Sequence, residues 1–265
     1  MPEQDPELSS RLQIEVPHAA RMWNYWMGGK DNFKADRDAG DAVADVYPEI
    51  AVMARQSRQF LIRAVRFLAA EAGIRQFIDV GTGLPTMQNT HEVAQEVAPE
   101  SRIVYVDNDP LVLVHARALL TGSGSDGLIT YVDADYHEPG KILAEARTVL
   151  NLQDPVAVLF MGVMGYEPDL VVVKAIVNRM MGSAVSGSYL VLWDGADTSP
   201  AVVQGADTLV ESGGVPYVLR SPEQLASCFE GLVPVEPGLV PITQWRPDDS
   251  GADRIDAYGA VARKP

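Results

Sequence analysis

The stretch from Phe77 to Asp109, FIDVGTGLPTMQNTHEVAQEVAPESRIVYVDND, restricts most strongly what this chain can fold into. Phe77-Ile78-Asp79-Val80 is a short apolar run broken only by an acid. Gly81-Thr82-Gly83 lets the backbone turn sharply and lie close against a ligand. Gln88 to Val97 supports a helix. Arg102 to Val106 is a second apolar strand, and it ends in Asp107-Asn108-Asp109. Strand, glycine turn, helix, strand and acid make one half of a nucleotide-binding α/β unit. A carboxylate at the second strand tip suits a ribose, because it can accept from both hydroxyls.

The flanking sequence extends this unit in both directions. Residues 1–16 read as a tail. Helices are expected at His18–Met27, Asp36–Val46 and Glu49–Ala72, three helices that precede the first strand and predict a cap or lid over 17–75 rather than a sheet layer. From 76 to 265 strands and helices alternate: strands near 76–80, 102–107, 129–132, 155–160 and 188–193, with helices at 111–120, 140–149, 168–181, 199–211 and 222–229. Thr121 to Gly127 reads as a loop. This alternation predicts a parallel core with helices on both faces. Leu232–Ile242 and Ile255–Arg263 have no helix between them and are expected to pair as an antiparallel hairpin.

Composition excludes several classes of function. The chain has 265 residues and a net charge of −15, a field that opposes nucleic acid and anionic membrane. Arg55, Arg58, Arg63 and Arg66 recur along one predicted helix and read as its solvated face. There is no run of 18 apolar residues, so no membrane span is expected. The polar, acidic start MPEQDPELSS is unlike a secretory signal. Cys228 is the single cysteine, which fits a reducing cytoplasm and reads as a small buried thiol. No spacing of His, Cys or carboxylate predicts a metal site.

Acids cluster where a parallel sheet binds ligands, at the carboxyl ends of strands. Asp79 lies in the first strand, Asp107 and Asp109 follow the second, Asp133 and Asp135 the third. A dinucleotide fold with G-x-G-x-x-G would need glycine or alanine at position 86, where Thr86 stands. S-adenosylmethionine carries no phosphate. It needs a glycine turn, a ribose acid and a polar group at the adenine, and Asp107 and Asp135 supply the last two. The residues therefore favour S-adenosylmethionine over a nicotinamide dinucleotide.

Five segments carry a more specific resemblance: AARMWNYWMGGKDNFKADR (19–37), FIDVGTGLPT (77–86), HEVAQEVAPESRIVYVDNDPLVLVHARALL (91–120), PGLVPITQWRPD (237–248) and YGAVARKP (258–265). In these the chain resembles an actinobacterial family of S-adenosylmethionine-dependent methyltransferases, formerly catalogued as a domain of unknown function, within the class I superfamily. The resemblance implies a Rossmann-like seven-stranded α/β sheet with an antiparallel C-terminal hairpin. It also implies S-adenosylmethionine as cofactor, and it implies no particular acceptor. Asp79, Gly81 and Gly83 fall on the first cofactor motif, with Thr82 and Leu84 in the same loop. Asp107 falls on the ribose acid with Asn108 beside it, and Asp135 on the acid facing the adenine, flanked by Ala134 and Tyr136. Residues 160–166, including Met161 and Tyr166, border the methionine part and the acceptor. Relatives carry a sequence more like Leu-His-Phe where this chain has Met164-Gly165-Tyr166, which removes one polar group.

Within the lid, the Gly28-Gly29 turn is expected to set Lys30, Asp31 and Asn32 over the cofactor, with Lys30 on the methionine carboxylate and Asp31 on its ammonium. Trp23, Tyr25 and Trp26 read chiefly as core, with one of them available to the acceptor pocket. No general base stands out; His137, Tyr166 and Tyr25 are the candidates, and His137 lies closest to a strand end. His18 reads equally as a cap, a surface group or a base, and His91 and His115 as structural. Asp194 and Asp197 follow the fifth strand as solvated loop residues or pocket edge. The expectation is a cytoplasmic methyltransferase acting on a small molecule. Two alternatives stay open: a regulatory protein that binds S-adenosylmethionine without turnover, and a nicotinamide-dependent oxidoreductase.

Overall fold

The computed structural model describes residues 13–85, 88–115, 128–248 and 254–265. The tail over 1–12, Thr86, the second half of the helix expected over 111–120 and the loop at 121–127 lie outside the described residues.

Helices α1 (Ala19–Trp26), α2 (Lys34–Val46) and α3 (Ile50–Ala70) precede the first strand. Then come β1 (Gln76–Val80), α4 (Thr90–Val97), β2 (Arg102–Asp107), a helical stretch over 110–115, β3 (Ile129–Asp133), α5 (Pro139–Ala146), β4 (Ala157–Met161), a 3-10 turn at Met164–Tyr166 and α6 (Leu170–Gly182). The chain continues through β5 (Tyr189–Gly195), α7 (Pro200–Glu211), α8 (Pro222–Ser227), β6 (Val233–Pro234), β7 (Val240–Pro241) and β8 (Ala257–Arg263).

The sheet runs β3-β2-β1-β4-β5-β8-β6, with β7 also on β8. β1 to β5 pair in parallel, whereas β8 is antiparallel to β5, β6 and β7. The expected C-terminal hairpin is present, but its first arm is two short strands instead of one, which makes the sheet eight-stranded. Pro234 and Pro241 bring no N–H to a ladder. Between them Gly238 adopts φ +83° and its N–H returns to the carbonyl of Val235 at 2.8 Å, so the arm turns away from β8 and rejoins it.

Alternation along the strands builds two cores. Ile78, Val80, Val104, Val106, Val158 and Phe160 face α5 and α6. Phe77, Ile103, Leu159 and Val191 face the other way, and Phe60, Leu61, Val65 and Leu68 of α3 join them in one cluster. This corrects the expectation of a lid formed by all three N-terminal helices. The apolar stripe of α3 is continuous with the sheet face, so α3 is a sheet layer.

Candidate functional site

The chain leaves β1 for β2 on one side and β4 for β5 on the other, so the carboxyl ends of β1 and β4 flank the point where strand order reverses. Ligands of open parallel sheets bind there. Gly81 (φ +71°) and Gly83 (φ +66°) take left-handed backbone that other residues resist. A Cβ on Gly81 would also come within 2.5 Å of Val163, in the loop after β4. The N–H groups of Gly81 and Thr82 both donate to the carbonyl of Val106, at 2.8 and 3.3 Å, which ties the turn to β2. Gly83 N donates to Asp107 Oδ2 at 2.8 Å and Asp109 N to Asp107 Oδ1 at 2.9 Å. Two backbone donors thus fix the Asp107 carboxylate while each oxygen keeps a lone pair for a ligand. Burial outweighs these donors and raises its pKa.

These residues open onto a cavity of about 290 Å³. Asp79, Gly81, Thr82, Gly83, Leu84, Asp107, Asn108, Ala134, Asp135, Tyr136 and Met161 all line it, together with Gly162, Val163, Tyr166 and Trp193. His18, Trp23 and Met27 cover it from α1 and its ends, and Ser57, Arg58 and Leu61 close it from α3. At the third strand end, Asp135 Oδ2 accepts from Asn108 Nδ2 at 3.0 Å.

Lys30, Asp31 and Asn32 are not among the lining residues. Their loop is folded onto buried Asn24, whose Oδ1 accepts from Asp31 N at 3.0 Å and Asn32 Nδ2 at 3.1 Å. Asp31 Oδ1 lies 3.7 Å from His115 Nε2, and Asn32 Oδ1 accepts from Arg37 at 3.0 Å. The polar side chains expected over the cavity are largely held by one another.

Arg58 escaped the sequence reading. It lies on the same helical stripe as Ala54, Leu61 and Val65, at the i, i+4, i+7, i+11 spacing that faces inward, and that spacing is the signal that could have found it. Arg63 is likewise buried instead of solvated, donating to the carbonyls of Trp245 and Ile242 at 2.9 and 2.6 Å. Arg58 makes no hydrogen bond or ion pair to a described residue. Burial lowers its pKa, and Asp79 partly offsets this. Asp79 is its electrostatic counterpart. Burial pushes the Asp79 carboxyl up to about 6, against the Thr90 hydroxyl and Arg58. Its Oδ2 accepts from Thr90 Oγ1 at 2.6 Å, whereas Oδ1 is buried with no hydrogen-bond partner among the described residues. The cavity wall therefore holds a guanidinium with no hydrogen-bonded partner among the described residues and an orphaned carboxylate oxygen.

A polar thread ties α1 and α2 to this site. His18 Nδ1 sits 2.8 Å from Oδ2 of buried Asp109. Burial raises the Asp109 pKa, but His18 and the Leu111 N–H outweigh it and hold the carboxyl below the usual range. Asp36, fully buried, accepts from His18 N at 2.9 Å and Phe33 N at 2.7 Å and lies 3.3 Å from Arg21 Nε.

Among the base candidates, His137 is clamped between Asp135 Oδ1 and Glu167 Oε2, both at 2.6 Å, and does not line the cavity. The hydrogen bond to Glu167 leads in raising its pKa. Tyr25 turns outward to Asp41 Oδ1 at 2.5 Å. Tyr166 alone of the three lines the cavity, and burial raises its phenol pKa. Asp194 lies behind the cavity, accepting from the Tyr217 hydroxyl at 2.7 Å, and burial pushes it up to about 7. Cys228 is buried, and burial raises its thiol to about 11. Among the described residues no helix is long and apolar enough to cross a membrane.

Comparison with known proteins now has a geometry to match. The family profile described as S-adenosyl methyltransferase covers residues 5–265. A DUF574 family protein from Streptomyces avermitilis is 42% identical with a TM-score of 0.91, over 96% of this chain and 100% of that one. A candidate methyltransferase from Thermobifida fusca is 37% identical with a TM-score of 0.89, over 96% and 97%. PigF, solved with S-adenosylhomocysteine, is 11% identical with a TM-score of 0.50 over 83% of this chain and 67% of its own, a likeness of fold alone. No curated protein matches the chain. The resemblance read from residues 19–37, 77–86 and 91–120 thus extends over nearly the whole length, and S-adenosylmethionine stands over the nicotinamide alternative. The chain belongs to the S-adenosyl methyltransferase family, with a class I α/β fold, S-adenosylmethionine as cofactor and methyl transfer as its reaction.

Proposed function

We propose that this enzyme methylates a small molecule, with the cofactor seated in the cavity at the ends of β1, β2 and β4 so that its amino-acid end meets Arg58 and Asp79. The observation that carries this reading is the pair of complementary orphans. A guanidinium and a buried carboxylate oxygen, neither with a hydrogen-bonded partner among the described residues, face one cavity. A zwitterionic α-amino acid satisfies both: its carboxylate pairs with Arg58 and its ammonium with Asp79 Oδ1. This gives Arg58 and Asp79 the roles the sequence suggested for Lys30 and Asp31. Asp107, pre-aimed by Gly83 and Asp109, accepts from the ribose hydroxyls. Asn108, Ala134, Asp135 and Tyr136 flank the adenine, and Met161 the methionine chain.

Bound there, S-adenosylmethionine supplies a methyl group on a sulfonium, open to in-line displacement by an acceptor oxygen, nitrogen or carbon. The chain's own contribution is to orient the acceptor and exclude water, and such positioning suffices for a large rate enhancement. Tyr166, at the cavity wall, is the remaining candidate for a proton-handling group. The segment over 17–33, with His18, Trp23 and Met27 at the cavity, acts as the cover. The net charge of −15 favours a small acceptor over nucleic acid. With its single, buried cysteine, the chain suits the cytoplasm.

Calorimetry with S-adenosylmethionine, S-adenosylhomocysteine and NAD tests the seat. Both adenosyl ligands are expected to bind the wild-type protein and to bind Asp107→Ala at least about tenfold more weakly, since hydrogen bonds to a charged group are at stake. NAD binding without adenosyl binding, or an unchanged Asp107→Ala affinity, contradicts the assignment. Labelled-methyl turnover against a panel of metabolites then separates enzyme from passive binder.

A further inference from the structure

We infer that the methyl acceptor is uncharged where it is held and presents an apolar ring to a second cavity behind Trp23 and Tyr166. This inference rests on the methyltransferase reading above. The second cavity lies where α1, α2, α3 and α7 converge, and Trp23 and Tyr166 line both it and the cofactor cavity. The two spaces therefore share an aromatic wall.

The rest of the wall is apolar: Trp26, Val43, Ile50, Met53 and Leu209, with Tyr217 beside them. Among the described residues no Asp, Glu, Lys, Arg or His lines it. The polar side-chain atoms of Trp26, Tyr47 and Tyr217 are already engaged. Trp26 Nε1 donates to the carbonyl of Gly40 at 3.1 Å, the Tyr47 hydroxyl to Asp256 at 3.0 Å and the Tyr217 hydroxyl to Asp194 at 2.7 Å. An ionised group entering here would lose its hydration and meet no counter-charge, a cost that burial does not return. A ring gains from burial and from edge contacts with the aromatic walls. The Tyr217 ring, which packs edge-on against Tyr166 with centroids 4.9 Å apart, has its place because Gly165 and Gly195 carry no Cβ. The wall is thus constructed from several separate segments, and its shape does not depend on one mobile side chain.

The test uses the full-length protein saturated with S-adenosylhomocysteine, titrated with 4-fluorophenol or 4-fluorobenzoate and followed by fluorine NMR. The two probes share a ring and differ in charge at neutral pH. Saturable binding of 4-fluorophenol is expected, with 4-fluorobenzoate at least about tenfold weaker because its carboxylate is unpaired. Ala206, on α7, lines the second cavity and not the first. Ala206→Phe fills that space and is expected to weaken 4-fluorophenol at least about tenfold while S-adenosylhomocysteine affinity stays within about twofold. If Ala206→Phe loses S-adenosylhomocysteine binding through misfolding, Ala206→Leu is read in its place. Absence of saturable 4-fluorophenol binding to the wild-type protein overturns the inference, as do equal affinities for the two probes or an affinity indifferent to Ala206. Failure of S-adenosylhomocysteine itself to bind the wild-type protein would instead overturn the function proposed above.

Discussion

Replacing Arg58 by methionine keeps an apolar stem of similar length on α3 and deletes the guanidinium. If Arg58 receives the α-carboxylate of the cofactor, the loss is a charge-assisted interaction at the cavity wall. Such hydrogen bonds contribute about 1.5–3 kcal/mol. The structure argues for the upper half of that range. Among the described residues Arg58 has no hydrogen-bonding or ion-pair partner to compete for it, and it helps to hold down the pKa of Asp79. Removing it lifts the Asp79 pKa further and weakens the neighbouring ammonium site as well. At about 2–3 kcal/mol, S-adenosylhomocysteine should bind Arg58→Met roughly 30- to 150-fold more weakly. The control is 5′-methylthioadenosine, which keeps adenine, ribose and sulfur but lacks both charged groups; its affinity should move by less than about twofold, well inside the range of a contact that was never made. Calorimetry on both ligands at pH 7.5 and low salt gives the comparison directly. Equal losses for the two ligands would make Arg58 a structural residue. An unchanged S-adenosylhomocysteine affinity would refute the electrostatic argument outright.

Three further outcomes follow from the same geometry. Gly81→Ala meets both an unfavourable positive φ and a Cβ 2.5 Å from Val163, so it should cost about 2–4 kcal/mol in urea unfolding, and adding Val163→Ala should recover only the packing part. Burial raises the Asp194 carboxyl from 3.8 to about 7, so the folded state holds a proton that the unfolded chain releases. Its contribution to stability is therefore present at low pH and lost as pH rises from about 4 to 7. Asp194→Asn should gain up to about 3 kcal/mol relative to wild type between pH 5 and pH 8 in thermal or urea unfolding, and no relative gain would contradict the assigned burial. Lys30→Ala, remote from the cavity lining, should leave S-adenosylhomocysteine affinity within about twofold; a tenfold loss would return Lys30 to the site.

Much of the fold and part of the site could be read from local sequence. β1, its glycine turn and β2 are contiguous in the chain, and their chemistry is local: positive φ at Gly81 and Gly83, and an acid at the tip of β2. What escaped depends on distance in sequence. Arg58 was read as solvated because charge usually marks an exposed face, yet its helical phase is that of Ala54, Leu61 and Val65. Only the docking of α3 on the sheet shows that this phase faces the cavity. Lys30, Asp31 and Asn32 looked like ligand groups because glycines precede them. Buried Asn24, seven residues before Asp31, takes Asp31 and Asn32 for itself. The division of the sixth strand could be foreseen from Pro234, Pro237, Gly238 and Pro241, which interrupt any ladder. His137 stood beside Asp135 in the sequence, but Glu167, thirty residues later, closes its second nitrogen.

The contact between His18 and Asp109 makes the N-terminal segment a handle on the nucleoside end of the cavity. Asp109 holds His18 through Oδ2 while its own N–H steadies Asp107. Strain applied at the first described helix, by a fused partner, a shortened tail or a surface that grips it, is transmitted through two short contacts to the residue proposed to hold the ribose.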